Sequence, residues 1–258
     1  MRFIRAFWGD LNNFNQRHRY EIIESANNKN LNEIVFVWGT ENYKFIKSLG
    51  FECNLISEDS TQYGDDYLYD SDKYMIHKLM AIKLGVESFS EVVFLDWDCK
   101  QLKSIDDNFY EILKKSDSEI QMPLYIYPNN YSEIVLNEWV GIPQKEKEYV
   151  LKQQHYLEKY NYNWNNSFVT PNAGFVFCSN SNVIDELIRI NKNEKIGIAS
   201  EEMTMVEYSK RNCDSVIDYI KRYEPIVCNA KLDTHFNQKE LNELISSIIK
   251  KDLYFQHI

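Results

Sequence analysis

Asp96 and Asp98 are the residues whose types and spacing point most directly to chemistry. They close the run Val92-Val93-Phe94-Leu95-Asp96-Trp97-Asp98-Cys99-Lys100, where four apolar residues suited to the middle of a sheet give way to two acids around one large aromatic. Two carboxylates that close repel each other, so the arrangement either raises a pKa or recruits a cation. A hard divalent ion such as Mg²⁺ or Mn²⁺ takes oxygen ligands and bridges protein carboxylates to phosphate oxygens. A diphosphate held that way leaves more readily, because the ion stabilises the charge that develops as the bond breaks. Positions i and i+2 face one side only while a strand stays extended. At a strand end the chain can turn, and one acid can then bind directly while the other acts through water or a ribose. The plain alternative is a chance D-x-D in an acidic protein, or strand-end acids that cap the next helix.

Such acids are useful only if the surrounding elements carry them to an edge that a ligand can reach. Phe3 to Trp8 reads as an apolar strand, followed by Gly9-Asp10 and a polar helix to about Ala26. Ile34 to Trp38 reads as a second strand, followed by Gly39-Thr40. Glu41 to Leu49 reads as a helix stopped by Gly50, and Phe51 to Ile56 as a third strand. Residues 57 to 69 are polar and Tyr-rich, a loop. Asp72 to Leu84 reads as a helix with Met75, Ile76, Leu79, Met80 and Ile82 on one face, ended by Gly85. Strands that are almost wholly apolar and alternate with helices imply a mostly parallel sheet covered on both faces. Ligands of such sheets sit beyond the carboxyl ends of the strands. Gly9-Asp10, Gly39-Thr40 and Asp96-Trp97-Asp98 all fall at such ends.

The second half is less regular. Met122 to Tyr127 and Gly174 to Cys178 read as strands, and Gln144 to Tyr160 as a largely exposed helix. Asn182 to Ile190 reads as a helix capped by Asn182. Asn237 to Lys250 reads as another, with Leu241, Leu244, Ile245, Ile248 and Ile249 on one face, and Leu253 to Gln256 as a last strand ending in His257. Residues 125 to 168 are rich in Tyr and Trp, whose flat rings offer apolar faces to sugars or bases. That region is expected to shape an acceptor site.

Composition excludes several classes of function. The 258 residues are 44% hydrophobic and 14% aromatic, which supports a sizeable core rather than disorder. A net charge of -10 disfavours non-specific nucleic-acid binding. Cys53, Cys99, Cys178, Cys213 and Cys228 form no CxxC pair. They read as reduced thiols of a cytoplasmic protein rather than a zinc or disulfide framework. The opening MRFIRAFWGD, broken by Arg2 and Arg5, reads as a first strand rather than a signal segment. No apolar run is long enough to span a membrane. Richness in Asn, Lys and Ile suits an AT-rich genome, so a bacterial cytoplasm, or that of a phage or virus host, is the expected location.

The stretch HKLMAIKLGVESFSEVVFLDWDC resembles the helix and strand that lead to the DxD motif of GT-A-fold glycosyltransferases. Pro171-Asn172-Ala173-Gly174-Phe175-Val176-Phe177 resembles the N-[AS]-G-hydrophobic strand of the glycogenin and bacterial galactosyltransferase-like group. Ser200-Glu201-Glu202-Met203 stands where that group has an acidic pair opening a helix, and Tyr254-Phe255-Gln256-His257 resembles its late strand with a metal-binding His. The motifs occur in the group's order and span most of the chain, from residue 1 to 257. The resemblance implies a single GT-A domain over residues 1–258, in which 1–100 bind the nucleotide sugar and 101–258 the acceptor. It implies a Rossmann-like, mostly parallel central sheet with helices on both faces and a smaller acceptor-side β element.

It also implies roles. Asp96, Asp98 and His257 would ligate Mn²⁺ or Mg²⁺, with His235 as the competing imidazole. Asp10, Lys78, Asn172 and Gly174 would contact the donor, a nucleotide-diphosphate sugar, with UDP-sugars favoured. Glu201 and Glu202 would stand at the reacting centre, either as general base on the acceptor hydroxyl or as orienting groups. Each has a plainer reading: Asp10 as a turn acid, Lys78 on a solvated helix face, Glu201 and Glu202 as complements to a helix dipole. Trp8 and Trp38 end neighbouring strands and could stack on a base, although core packing is the commoner use. Two departures stand out. Members of that group often carry Gly and Lys residues after the His that touch the diphosphate, whereas Ile258 alone follows here, so that contact is expected to be missing or supplied from elsewhere. The acidic pair is Glu-Glu rather than Asp-Gln, which is compatible with either retention or inversion.

Three other readings share part of this pattern. A nucleotidyltransferase uses the same sheet and metal logic, but the chain has no Gly-rich phosphate loop near its first strand. A viral enzyme that glycosylates modified DNA bases suits the AT-rich character and conflicts with the net charge of -10. A non-catalytic nucleotide-sugar-binding domain would be suggested by loss of one acid, and both are present.

Overall fold

The structure is a computed structural model. It describes residues 1–9, 11, 16–27, 31–57, 76–114, 118–122, 124–128, 163–164, 167–171, 173–194, 204–205, 208, 227–229 and 254–257. In chain order the first elements are β1 (Arg2–Phe7), α1 (Gln16–Asn27), β2 (Glu33–Trp38), α2 (Thr40–Ser48), β3 (Glu52–Ser57), α3 (Ile76–Phe89) and β4 (Val92–Leu95). Then come β5 (Cys99–Gln101), α4 (Asp107–Lys114), β6 (Ile120–Gln121), β7 (Leu124–Pro128), β8 (Asn163–Trp164), β9 (Ser167–Pro171), β10 (Phe175–Cys178), α5 (Ser181–Glu194), β11 (Val227–Asn229) and β12 (Phe255–His257).

The central sheet has six strands in the order β3-β2-β1-β4-β10-β6. β3, β2, β1 and β4 run parallel, and β10 runs antiparallel to both of its neighbours. Two three-stranded sheets, β11-β12-β5 and β7-β9-β8, lie beside it. The fold class read from the sequence is the one observed: mixed α/β, with a mostly parallel sheet and additional smaller β elements.

The strands are apolar along their length because both faces of the sheet are covered. On one face Ile4, Ala6, Ile34, Phe36, Val92, Phe94, Val176 and Cys178 pack with Leu79, Ile82 and Val86 of α3 and Val183, Ile184 and Leu187 of α5. The other face carries two clusters. Phe3, Val93, Leu95, Phe175 and Phe177 pack with Phe109 of α4 and Phe255 of β12. Phe7, Val35 and Val37 pack with Ile22 of α1 and Ile46 of α2. Arg5 stands between Phe3 and Phe7 on that face, at the seam of the two clusters.

Three local expectations need correction. The third helix does not stop at Gly85 but runs on to Phe89. Gly85 instead sits at a close helix–strand approach: a Cβ at that position would stand 2.8 Å from Ile4 Cδ1 and 3.0 Å from Val92 Cγ1. The turn out of the helix falls at Ser90, with φ 66°. α5 is capped by Asn180 rather than Asn182, since Asn180 Oδ1 accepts the Asn182 N–H at 2.9 Å. The final strand is Phe255–His257, so His257 is part of it rather than beyond it. The loop at 58–69 and the helices expected at 144–160 and 237–250 lie outside the described residues.

Candidate active site

β1 leads to β2 and β3 on one side, whereas β4 pairs with β1 on the other. The carboxyl ends of β1 and β4 therefore flank the topological switch point, where open α/β sheets form a crevice. Gly9 and Gly39 turn the chain off β1 and β2 with φ of 95° and 96°, a conformation that costs glycine little. The buried amide of Asn42, in the first turn of α2, donates to Gly9 O and to Trp38 O, both at 2.8 Å. One side chain thus ties the two strand ends together. Trp38 is a core residue, 6% exposed. Trp8 is half-buried and stacks on His77, with ring centroids 5.5 Å apart.

After β4 the chain does turn. The Cys99 N–H donates to Asp96 O at 2.9 Å, closing a β-turn with Asp96 at its first position, where Asp is favoured. The Asp96 N–H donates to Gly174 O at 2.9 Å, so the start of β10 is fastened to the turn. Trp97 lies behind it: its Nε1–H donates to Ala6 O at 2.9 Å, and its ring meets Phe7 and Phe51 edge-on at 6.3 and 5.6 Å. Cys99 is buried, and burial pushes its thiol well above the ordinary range. It is therefore no nucleophile at neutral pH.

Lys78 is not on a solvated helix face. Its Nζ donates to Asp96 Oδ2 at 2.8 Å and to Ala173 O at 3.1 Å. The Lys78 side chain is 4% exposed and that of Asp96 30% exposed, so the pair spans the boundary between core and crevice.

Arg5, Glu33 and Asn42 were not singled out by sequence reasoning as site residues. The Arg5 guanidinium grips Glu33 with a two-pronged pair, Nε to Oε2 and Nη2 to Oε1, each at 3.0 Å. Its Nη1 donates to Asp96 O, its Nη2 reaches Cys99 O at 3.5 Å, and its Cζ lies 5.0 Å from the Trp97 ring centre. Burial opposes the charge, but attraction and hydrogen bonding to Glu33, with further help from Asp96, hold the Arg5 pKa above its ordinary value. The available signal was Arg5 itself, an arginine between the apolar Ile4 and Ala6 in the interior of a strand.

Asp96, Lys78 and Gly174 are thus brought together, with Asp98 in the same turn. β12 pairs antiparallel with β5, and His257 stands opposite Cys99, the residue after Asp98. The donor set of two carboxylates with an imidazole beside them in the chain's register suits a divalent ion. Among the described residues, no three His, Cys, Asp or Glu side chains converge on one point. Asp10, Asn172, Glu201, Glu202 and His235 lie outside the described residues.

No family model matches the chain, and no curated protein matches it in sequence. Among solved structures, mouse xyloside xylosyltransferase 1 in its apo form aligns over 100% of this chain and 97% of its own, at TM-score 0.51 and 10% identity. This is a GT-A fold. The galactosyltransferase LgtC, solved with donor and acceptor sugar analogues, aligns over 100% of this chain and 86% of its own, at TM-score 0.49 and 9% identity. The mannosyltransferase Ktr4p of S. cerevisiae aligns over 79% and 64%, at TM-score 0.39 and 13% identity. At 10% identity the xylosyltransferase alignment shows the fold alone. Among the described residues, no helix is long and apolar enough to cross a membrane.

Proposed function

We propose that the protein is a metal-dependent glycosyltransferase that moves a sugar from a nucleotide-diphosphate sugar, with UDP-sugars favoured, to a hydroxyl acceptor. The observation that carries this reading is the Asp96-Trp97-Asp98 turn at the switch point of a GT-A fold. Asp96 and Asp98, with His257, would hold Mn²⁺ or Mg²⁺. Such an ion, when bound, neutralises the diphosphate as it departs. Lys78 holds Oδ2 of Asp96, which fixes the carboxylate, and Oδ1 would be the oxygen offered to the ion. Asp10, Asn172 and Gly174 would line the donor, and Gly174 is already hydrogen-bonded to Asp96. In the transfer, the bond between the sugar's anomeric carbon and the phosphate oxygen breaks, and a bond to the acceptor oxygen forms. Glu201 or Glu202 would take the acceptor proton or orient the acceptor. Residues 1–100 would serve the donor and 101–258 the acceptor, within one GT-A unit.

The test is release of nucleotide from UDP-, GDP- and other nucleotide sugars, with and without Mn²⁺. Metal-dependent release is expected from at least one donor, and Asp98→Asn should abolish it without lowering thermal stability. Undiminished release by Asp98→Asn would sink the assignment. Retention on DNA at moderate salt would redirect the acceptor assignment towards modified bases.

A further inference from the structure

Arg5 is a costly residue to have where it is. It sits on a central strand, 3% exposed, and its charge is matched by Glu33, itself 8% exposed. A buried ion pair is weak evidence for stability, because well-packed apolar residues of similar volume serve as well or better. The two prongs to Glu33 leave the guanidinium with further N–H groups, and these reach the backbone of the turn. Asp96 O accepts from Arg5 and from the Cys99 N–H, and Cys99 O lies within reach of Arg5 as well. The guanidinium also packs against the ring of Trp97, which is hydrogen-bonded back to β1 at Ala6. Three of the four turn residues are therefore held from beneath by β1.

We propose that Arg5 is a positioning residue. Oriented by Glu33, it fixes the shape of the Asp96–Cys99 turn that carries both acids. This rests on the reading of Asp96 and Asp98 as ligands of a divalent ion. Arg5 acts on the backbone of the turn rather than on the carboxylates, through the carbonyls of Asp96 and Cys99 that bracket it. A lysine in its place supplies charge without the fork that serves Glu33 and the turn together.

The test uses Arg5→Met/Glu33→Leu, in which both charges leave at once and no buried charge is stranded, with Arg5→Lys alongside. Mn²⁺ binding to each full-length protein is followed by electron paramagnetic resonance of the free ion. Exchange of the Cys99 amide is followed by NMR, and kcat and KM are measured on the best donor. The double variant should melt within a few degrees of wild type yet bind Mn²⁺ roughly 10–100-fold more weakly, as is typical when a partner that orients a metal ligand is lost. Its Cys99 amide should exchange at least tenfold faster, and kcat should fall more than KM rises. Arg5→Lys should recover only part of each effect. Wild-type Mn²⁺ affinity and Cys99 protection in the double variant would overturn the role of Arg5 and leave the metal assignment intact. If the wild-type protein itself binds no Mn²⁺, the metal assignment fails and the role of Arg5 falls with it.

Discussion

The Lys78–Asp96 pair should be asymmetric, and the asymmetry can be worked from exposure. At the observed separation of 2.8 Å, an effective dielectric of about 20 gives a gross attraction of about 6 kcal/mol. The net effect of breaking the pair depends on which charge is stranded. In Asp96→Asn the shape is kept and the Lys78 ammonium, only 4% exposed, loses its ion pair with Asp96. Removing one partner of a buried pair costs roughly 3–5 kcal/mol, and the contacts that Lys78 keeps, Ala173 O among them, put the expected loss near the lower end, about 3 kcal/mol. In Lys78→Met the stranded group is the Asp96 carboxylate, which at 30% exposure can recruit water. Its loss should be on the order of 1 kcal/mol. The difference of about 2 kcal/mol corresponds to roughly 4–8 °C in Tm for a chain of this size.

Thermal and urea melts of wild type, both single variants and Asp96→Asn/Lys78→Met, in EDTA at pH 7, measure it. The double variant should be more stable than Asp96→Asn alone, because the buried ammonium leaves together with the carboxylate it pairs with. Equal losses in the two single variants, or strict additivity in the double, would refute the reasoning. Activity should be lost in both single variants whatever their stability, so the melts and the kinetics report on different properties of one pair.

Three other expectations follow from the geometry. Asn42→Ala leaves the Gly9 and Trp38 carbonyls without their amide donor and should cost about 1–3 kcal/mol in denaturant melts; an unchanged midpoint would remove Asn42 from the account of the crevice. Gly85→Ala adds about 1 kcal/mol of helix propensity but drives a methyl against Ile4 and Val92, so the net result should be a lower Tm; a higher one would mean that the core yields there. The Tyr254 hydroxyl donates to Asp106 and lowers its carboxyl pKa, so this contribution is complete above the ordinary carboxylate pKa and is lost as pH falls through the lowered one. Tyr254→Phe should raise the Asp106 midpoint in a carboxyl NMR titration, and an unmoved midpoint would count against the hydrogen bond.

The four parallel strands were legible because a sheet covered on both faces makes each strand an unbroken apolar run, and the observed limits fall within a residue or so of those read. The acids were legible for a local reason too: Asp96 and Asp98 interrupt such a run at its carboxyl end. Gly85 was misread because a helix stop and a close helix–strand approach use the same residue, and only the neighbouring Ile4 and Val92 distinguish them. Lys78 and Arg5 were harder still. Lys78 looks like an ordinary surface cation in sequence and Arg5 only like a break in an apolar strand; the partners that hold them lie elsewhere in the chain, Asp96 for Lys78 and Glu33 for Arg5. That same burial bears on the problem set by the two acids. Lys78 holds the carboxylate of Asp96 while Arg5 holds its carbonyl, so the turn keeps its shape without relying on a ligand. In formal charge, Asp96, Asp98 and Glu33 exceed Lys78 and Arg5 by one negative unit. A divalent cation would turn that into one positive unit, which is the sign a departing diphosphate requires. If Asp96 and Asp98 ligate a divalent ion as proposed, the buried cations would not replace it; they would trim the charge of these five residues until a single such ion suffices to reverse it.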